Sequence, residues 1–503
     1  MGIFNRALRA YFAGRLRAIE RFRREPAAVQ REQLDHLLSM GRKTLYGRQL
    51  GMDGIRTEED FRRVVPVRDY EGFEDDILRM KGGDAAVLWP THVRWYAKSS
   101  GTTGSKSKYI PVSREGLRDS HLQGPRDVLA LFTDAYPRSR AFVGKSLTLG
   151  GSKRVENEGE SAFSGDLSAI LISNTPWYAD FARVPKAATA LMPDFDEKVK
   201  RICEESVGRD VRSFAGVPSW NLVLMNRVLE YTGKSNLLEV WPRMELFMHG
   251  GMNFKPYREQ YRRLIPSPEM KYMETYNASE GFFAIADDPA RDDMLLMLDY
   301  RTYYEFIPMR SLGDLSSAVP LEGVKERVNY AMLITNSNGL WRYMIGDTVE
   351  FTSTSPYRIR ITGRTKHYMN AFGEEVMVDN AETAVRAACD ATGAEVAEFS
   401  AAPVYMEGRE KGAHEWVVEF GTPPSDEGLF IDTLDRALQS LNSDYEAKRF
   451  KDTTLNPPRL TVVPPGTFMR WLESKGKVGG QNKVPRLGND RSLAEELKSI
   501  AGV

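Results

Sequence analysis

The stretch from Lys98 to Val112 concentrates hydroxyl groups, glycines and lysines, which are groups that can bind phosphate. Its centre reads Ser99-Ser-Gly-Thr-Thr-Gly104, and lysines follow at 106 and 108. Glycine lets the backbone approach a ligand closely, and hydroxyl and ammonium groups suit phosphate oxygens. Aromatic and β-branched residues predict a strand on each side, over 93–97 and 109–112. We therefore expect this loop to bind the phosphates of a nucleotide.

Two other interpretations of the loop need to be weighed. A P-loop requires a glycine, four residues, and then Gly-Lys-Ser/Thr ahead of a helix. Here Ser105 follows Gly104 and a strand comes next, so the spacing excludes a P-loop. A solvated surface loop without a ligand is the other alternative. The loop by itself leaves that alternative open.

Two further polar segments follow apolar strands in the middle of the chain. Gly250-Gly251 ends the strand that begins at Glu245, and Tyr276-Asn-Ala-Ser-Glu280 ends a strand that begins near Met270. Helices separate these strands, an alternation that predicts an α/β fold with a mixed sheet. Because open α/β sheets bind ligands beyond the carboxyl ends of their strands, both segments are candidate binding elements.

An acidic residue also interrupts an apolar strand. Gly346-Asp347 lies inside the predicted strand Trp341–Phe351, and a second strand, Arg358–Arg364, follows it. A buried carboxylate is costly unless it has partners. Asp347 could accept hydrogen bonds from two neighbouring hydroxyls, such as those of a ribose, or it could belong to a β-bulge with an Asx turn. The sequence leaves both interpretations open.

The pattern of elements divides the chain into two predicted domains. Up to residue 365 the chain shows the α/β alternation, and helices are predicted at 113–133 and 219–231. Pro218-Ser219 is expected to cap the second of these helices. From residue 366 the pattern becomes α+β, with helices at 379–392 and 426–443 and strands at 394–401 and 415–420. We expect a large domain over 1–365 and a small one over 366–503.

Composition excludes several classes of protein. Lysine plus arginine and aspartate plus glutamate number 69 each, which argues against a nucleic-acid surface. Cys203 and Cys389 fit no disulfide or metal pattern, so we expect a cytoplasmic protein. The six histidines lack ligand spacing, and no apolar run is long enough to span a membrane. The basic amphipathic helix predicted at 3–24 could lie on a membrane, but we expect it to pack on the large domain, without a stable membrane anchor.

Four of these segments, taken in chain order, resemble the adenylate-forming (firefly luciferase-like) enzymes. They are Ser99–Gly104, Tyr276–Glu280, Tyr343-Met-Ile-Gly-Asp347 and Gly363-Arg364. A finer resemblance is to the Gretchen Hagen (auxin-responsive) family of acyl acid amido synthetases, which also occurs in bacteria. It is carried by Gly216-Val-Pro-Ser-Trp220, Tyr304-Glu-Phe-Ile-Pro308 and Gly480-Gln-Asn-Lys-Val-Pro-Arg486, and it covers nearly the whole chain from about residue 40.

The resemblance implies a fold and an activity. The fold would have a large N-terminal domain of mixed β-sheets, a β-barrel and packed helices, with a small mobile α+β C-terminal domain. The enzyme would act as a monomer on two small molecules, a carboxylic acid and an amino acid. ATP and Mg²⁺ would convert the acid to an acyl adenylate with release of pyrophosphate, and the amine would then displace AMP to give an amide.

The resemblance also assigns roles to individual residues of this sequence. The phosphates would be held by Ser99, Ser100, Gly101, Thr102 and Thr103, with Lys106 or Lys108 near the departing pyrophosphate. Tyr276 would stack on adenine beside Asn277, which stands where a small residue is common, and Asp347 would bind the ribose. Glu280 would hold Mg²⁺, Arg364 would contact ribose or phosphate, and Lys483 would be the catalytic lysine, brought in by rotation of the small domain.

Two alternative functions remain open at this stage. A ligase that passes the acyl group to coenzyme A would use the same adenylate but release a thioester. A protein of another class, which binds nucleotide on this fold without chemistry, would not need Glu280, Asp347 and Lys483 together. The identities of the acid and of the amino acid do not follow from the sequence.

Overall fold

The computed structural model describes residues 3–100, 107–150, 156–157, 162–252, 254, 257–365, 368–407, 410–450, 454–475 and 484–503. The fold is mixed α/β, as expected, with a large N-terminal part and a smaller C-terminal part. Within the described residues, no helix is both long enough and apolar enough to cross a membrane. A cytoplasmic location stays a prediction.

The helices surround the sheets and are numbered in chain order. They are α1 (Ile3–Arg24), α2 (Pro26–Gly41), α3 (Leu45–Gln49), α4 (Glu58–Val64), α5 (Glu74–Lys81), α6 (Arg114–Gly116), α7 (Gln123–Ala135), α8 (Leu167–Asn174), α9 (Ala187–Ala190), α10 (Phe195–Ser206), α11 (Pro218–Thr232), α12 (Arg258–Leu264), α13 (Val378–Thr392), α14 (Glu427–Leu441), α15 (Ser443–Arg449), α16 (Thr467–Ser474) and α17 (Ser492–Ala501).

The strands are numbered in the same way. They are β1 (Trp95–Ser100), β2 (Ser107–Val112), β3 (Lys145–Thr148), β4 (Glu156–Asn157), β5 (Phe163–Gly165), β6 (Arg183–Val184), β7 (Val211–Gly216), β8 (Leu246–Gly250), β9 (Lys271–Ala278), β10 (Gly281–Ile285), β11 (Met294–Leu296), β12 (Thr302–Pro308), β13 (Val319–Pro320), β14 (Asn329–Asn336), β15 (Tyr343–Thr354), β16 (Tyr357–Arg364), β17 (Tyr368–Met369), β18 (Val376–Met377), β19 (Glu395–Val404), β20 (Ala413–Thr422) and β21 (Arg459–Val463).

One mixed sheet dominates the large part of the molecule. Its order is β13-β12-β14-β15-β16-β11-β10-β9-β8-β7-β3-β6. Strands β6, β3, β7, β8 and β9 run parallel, and the remaining neighbours are antiparallel. A second sheet, β2-β1-β5-β4, carries the strands on either side of the Ser/Thr/Gly loop. The parallel strands present their carboxyl ends at one edge, where ligands of α/β sheets bind.

Helix α1 packs on the large part of the molecule, as predicted from its amphipathic pattern. Its apolar stripe includes Phe12, Ile19 and Phe22, all of which are buried. From the same helix, the Arg15 guanidinium binds both oxygens of Asp127 on α7 at 2.9 and 2.8 Å and also pairs with Asp299. The helix is therefore fixed by buried apolar contacts and by ion pairs together.

The region predicted as one helix from Ser113 is more irregular than expected. Ser113 does cap it, since its hydroxyl accepts a hydrogen bond from Gly116 N at 2.9 Å. The turn Leu117–His121 is then a π-helix, and α7 begins only at Gln123. The hydroxyl of Ser120, within this turn, accepts from Phe282 N at 3.0 Å. This bond ties the irregular turn to β10.

The C-terminal part packs against the large part through a shared apolar cluster. It contains Phe247 and Tyr261 from the large part and Phe372 and Trp416 from the C-terminal part. Ser219, which was expected to cap α11, instead donates from its hydroxyl to Phe372 O at 2.9 Å. The N-cap of α11 is Val217, with no side-chain hydrogen bond. The serine therefore joins the two parts, so its predicted role was wrong.

Candidate functional site

Asp347 lies on β15, where the strand is irregular. Its neighbour Gly346 has a φ of +91°, and the pairing of β15 with β14 shifts register here, so the predicted bulge exists. Asp347 is buried, and its two oxygens accept hydrogen bonds from the Tyr276 hydroxyl at 2.6 Å and from Arg364 Nε at 2.8 Å. Arg364 reaches it because the two residues are register partners on β15 and β16.

Arg364 also connects this acid to the C-terminal part of the chain. One of its terminal nitrogens donates to Glu375 Oε1 at 3.1 Å. Burial by itself would lower the pKa of Arg364, but the negative charges of Glu375 and Asp347 raise it well above its usual value. Burial and the charge of Asp347 likewise raise the pKa of Tyr276. The arginine therefore stays cationic and the tyrosine stays a hydrogen-bond donor.

Glu280 lies in the turn between β9 and β10 and is buried. Its backbone carbonyl accepts hydrogen bonds from the side-chain amides of Asn336 and Asn338 at 2.9 and 3.0 Å. Its carboxylate accepts from the Tyr343 hydroxyl at 3.3 Å. Burial raises the pKa of Glu280 to about 7, and the charge of Asp347 adds to this while Lys108 opposes it. The turn thus holds a carboxyl group that can change its charge near neutral pH.

Lys108 is the cation whose charge acts most strongly on Glu280. It lies on β2, directly after the Ser/Thr/Gly loop, and its ammonium group is 5.4 Å from the centre of the Tyr70 ring. Burial lowers its pKa, and the charge of Glu280 is the largest effect that raises it again. Of the two lysines offered for the pyrophosphate, Lys108 therefore lies among the site carboxylates. Lys106 falls outside the described residues.

A cleft of about 870 Å³ brings these groups together. It is lined by side chains that arrive from distant parts of the sequence, namely Lys98, Lys108, Tyr276, Asn277, Glu280, Asp347 and Arg364. It opens beyond the carboxyl ends of the parallel strands, where Val217 and Gly251 follow β7 and β8. The C-terminal part contributes Asn370, Tyr405 and Asn489. The cleft therefore lies where the two parts of the chain meet.

Several predicted site residues cannot be placed. Gly101, Thr102, Thr103, Lys106 and Lys483 fall outside the described residues. Ser99 and Ser100 are the last two residues of β1. Asn277 is exposed and lines the cleft beside Tyr276. The roles of all these residues, and those of the residues that the cleft does bring together, stay predictions.

Sequence reasoning assigned no role to three groups at this site. Tyr343 donates to Glu280, and Glu375 binds Arg364. His249 lines the cleft directly before Gly250-Gly251, and its ring centre lies 4.2 Å from that of Phe254. Its Nδ1 has no hydrogen-bond partner within the described part of the chain. Burial lowers the pKa of His249 to about 3, so its imidazole is neutral. Its place before paired glycines was the one signal in the sequence that could have identified it.

The carboxylates of the cleft fit a Mg²⁺ ion whose other ligands are phosphate and water oxygens. The described part of the chain holds no cluster of three or more metal-ligating side chains. A protein site for Mg²⁺ commonly supplies one or two carboxylates, while phosphates and water complete the shell. Glu280, beside Lys108 and buried in the cleft, is a suitable single carboxylate for such a shell.

The fold is shared with two solved ligase structures. The chain is similar to a structure named acyl acid amido synthetase AtGH3.15 in complex with 2,4-DB, with a TM-score of 0.62, 19% identity, and coverage of 96% of this chain and 95% of the other. It is also similar to 2-hydroxyisobutyryl-CoA ligase in complex with its acyl adenylate and CoA, with a TM-score of 0.55, 13% identity, and coverage of 94% and 92%. At these identities the likeness shows the fold alone.

The chain belongs to the GH3 family. The models of its N-terminal, central and C-terminal domains match residues 15–270, 295–364 and 379–492. Among characterised relatives, the chain is 22% identical to indole-3-acetic acid-amido synthetase GH3.4 of Arabidopsis thaliana, over 94% of this chain and 91% of the relative. It is 23% identical to the 4-substituted benzoates-glutamate ligase GH3.12 of the same plant, over 91% and 92%. The predicted family is therefore confirmed.

Proposed function

We propose that this protein is an ATP-dependent acyl acid amido synthetase, a ligase that forms carbon–nitrogen bonds through an acyl adenylate. The observation that carries the proposal is the convergence of Glu280, Lys108, Asp347 and Arg364 in one cleft. Family membership supports it, because the named relatives are amido synthetases. The substrates would be a small carboxylic acid, ATP and an amino acid.

The nucleotide would be held by residues from four segments. Asp347 would accept hydrogen bonds from the two ribose hydroxyls, and Tyr276 and Asn277 would contact adenine. Arg364 would contact the ribose or a phosphate group. The phosphates would be held by the loop that carries Ser99, Ser100, Gly101, Thr102, Thr103 and Lys106. A carboxylate attacking the α-phosphate brings two anions together, so cations and N–H donors must neutralise the developing charge.

Glu280 would hold Mg²⁺ in its ionised form. Bound Mg²⁺ supplies charge neutralisation at the transferring phosphoryl group. Because burial raises the pKa of Glu280 to about 7, the free carboxyl group is partly protonated at neutral pH. The nearby ammonium of Lys108 favours the ionised form that a metal ion requires. This carboxyl group therefore links metal binding to pH.

The division into a large domain, 1–365, and a small cap, 366–503, belongs to the same proposal. Lys483 would enter the cleft by rotation of the cap, act in adenylation, and leave before the amine attacks. The breaks between the matched family domains, at 364 and 379, fall near the proposed boundary and support it.

An exchange assay tests the proposal directly. Purified protein with ATP, Mg²⁺, labelled pyrophosphate and a panel of carboxylic acids should incorporate label into ATP only when a suitable acid is present. Glu280→Gln should abolish this exchange. Product mass spectrometry, with amino acids in one reaction and coenzyme A in another, distinguishes an amide from a thioester. If no acid in a broad panel supports exchange, the protein is not an adenylating enzyme.

A further inference from the structure

A buried lysine of the C-terminal part lacks the partners that such a group requires. Lys448, on α15, is 8% exposed, and its ammonium group lies 4.3 Å from the centre of the Trp220 ring on α11. Among the described residues its ammonium group forms no hydrogen bond or ion pair. A cation–π contact by itself is weaker than the hydrogen bonds to water that an ammonium group loses on burial. The ammonium group of Lys448 therefore keeps its capacity to bind an anion.

Carboxylates surround this lysine at a distance. Those that act on it electrostatically are Asp444, Glu374, Asp166 and Glu375. Two of them are engaged elsewhere, because Glu374 accepts from Ala371 N and Phe372 N at 3.1 and 2.6 Å and Glu375 binds Arg364. Burial lowers the pKa of Lys448 and these charges oppose the shift. These carboxylates favour the charged form of Lys448, but none of them forms an ion pair with its ammonium group.

The unsatisfied ammonium group lies beside the cleft. Asp444 is four residues before Lys448, so the two share one face of α15, and Asp444 lines the cleft together with Asp166 and Val217. Gly373 makes room for the ammonium group, because a Cβ there would lie 3.3 Å from Lys448 Nζ and 3.8 Å from Val217 Cγ1. Lys448 is not itself a lining residue, but it lies directly behind residues that line the cleft at the junction of the two parts of the chain.

We propose that Lys448 binds the α-carboxylate of the amino acid acceptor. The inference rests on the proposed function and adds to it the group that recognises the second substrate. In the transfer, the amine nitrogen bonds to the acyl carbon, the bond from that carbon to the phosphate oxygen breaks, and AMP leaves with the electron pair. The nitrogen releases its proton to solvent. A carboxylate on Lys448 would orient the amine towards the cleft.

The test compares an acceptor mixture with a nucleophile that has no carboxylate. An equimolar mixture of the twenty common L-amino acids and, separately, hydroxylamine are supplied to wild type and to Lys448→Met, with an acid chosen by exchange. We expect the half-saturating concentration of the mixture to rise at least tenfold in the variant. Hydroxamate formation and pyrophosphate exchange should stay within twofold. Lys448→Arg should recover much of the acceptor affinity, because a guanidinium group also binds carboxylate.

Control variants separate the possible failures. Lys475→Met removes a lysine that is 41% exposed in the same part of the chain and should change none of these rates. Equal losses with hydroxylamine and amino acids in Lys448→Met would show that the lysine only joins the two parts, and an unchanged half-saturation would also overturn the inference. Failure of wild type to support exchange with any acid would instead refute the proposed function.

Discussion

Replacing Glu280 by glutamine should stabilise the protein at high pH and abolish its chemistry. The pKa of Glu280 is about 7 in the folded chain, against an ordinary value of 4.5. Each pH unit of difference corresponds to 1.36 kcal/mol, so ionising this carboxyl group in the fold costs roughly 3 kcal/mol. Glutamine has a similar shape, can still accept from Tyr343, and never ionises. It should therefore remove this cost.

The direction of the pH dependence follows from proton binding. Below pH 4.5 the carboxyl group is protonated in both states, so wild type and variant should unfold alike. Between 4.5 and about 7 the unfolded chain loses this proton while the folded chain keeps it, so wild-type stability falls as pH rises. Above about 7 the full deficit of roughly 3 kcal/mol is present. The advantage of the variant should thus be large at pH 8 and small at pH 5.

Thermal unfolding of both proteins at these two pH values measures the effect. With an unfolding entropy of about 2.1 cal/mol/K per residue, a chain of this length should shift by roughly 3 °C at pH 8 if it unfolds as one unit. Glu473→Gln, which replaces an exposed glutamate, should match wild type at both values. Mg²⁺ with ATP should raise the Tm of wild type by more than that of Glu280→Gln, because the variant lacks the carboxylate proposed to hold the metal ion. A shift of equal size at pH 5 and pH 8 would refute the assignment of a raised pKa.

Three further predictions address separate groups. Asp347→Asn should weaken ATP binding by about tenfold or more, because a charged acceptor is worth about 1.5–3 kcal/mol; calorimetry with unchanged affinity would remove Asp347 from the nucleotide site. Lys483→Ala should slow acid-dependent exchange by about 10²–10³-fold with little change in ATP affinity, and unaltered exchange would exclude this lysine. Arg15→Met leaves the buried Asp127 without its ion pair, so it should lower stability by about 3–5 kcal/mol. Denaturant unfolding would measure this loss, and a change below about 1 kcal/mol would contradict it.

The sequence indicated several residues that share the cleft, but it did not indicate the contacts between them. Gly250, Tyr276 and Glu280 could be placed because each lies at or just after the carboxyl end of a strand, and strand ends in α/β sheets meet at one edge. Asp347 stood out because an acid in an apolar strand needs partners. Its link to Arg364, however, depends on the register of β15 against β16, which shifts at two bulges. No local pattern in the sequence encodes those shifts.

Contacts between the large part and the C-terminal part could not be predicted from the sequence for a different reason. Ser219 looked like a cap because serine after proline at a helix start commonly is one, yet its hydroxyl binds a carbonyl 153 residues away. Lys448 and Trp220 are also distant in sequence, and nothing in the residues around either of them indicates that the two side chains meet. Only packing of the two parts shows that these residues meet.

The carboxylate of Asp347 shows how the site can be organised before a nucleotide binds. A carboxylate offers about four lone-pair positions, and Tyr276 and Arg364 use one on each oxygen. The remaining positions can accept two vicinal hydroxyls without displacing either donor. Because the same arginine also binds Glu375, any movement of the C-terminal part that carries Glu375 away changes the charge around Arg364. The residue proposed to bind ribose is thus connected through one side chain to the part of the chain proposed to rotate.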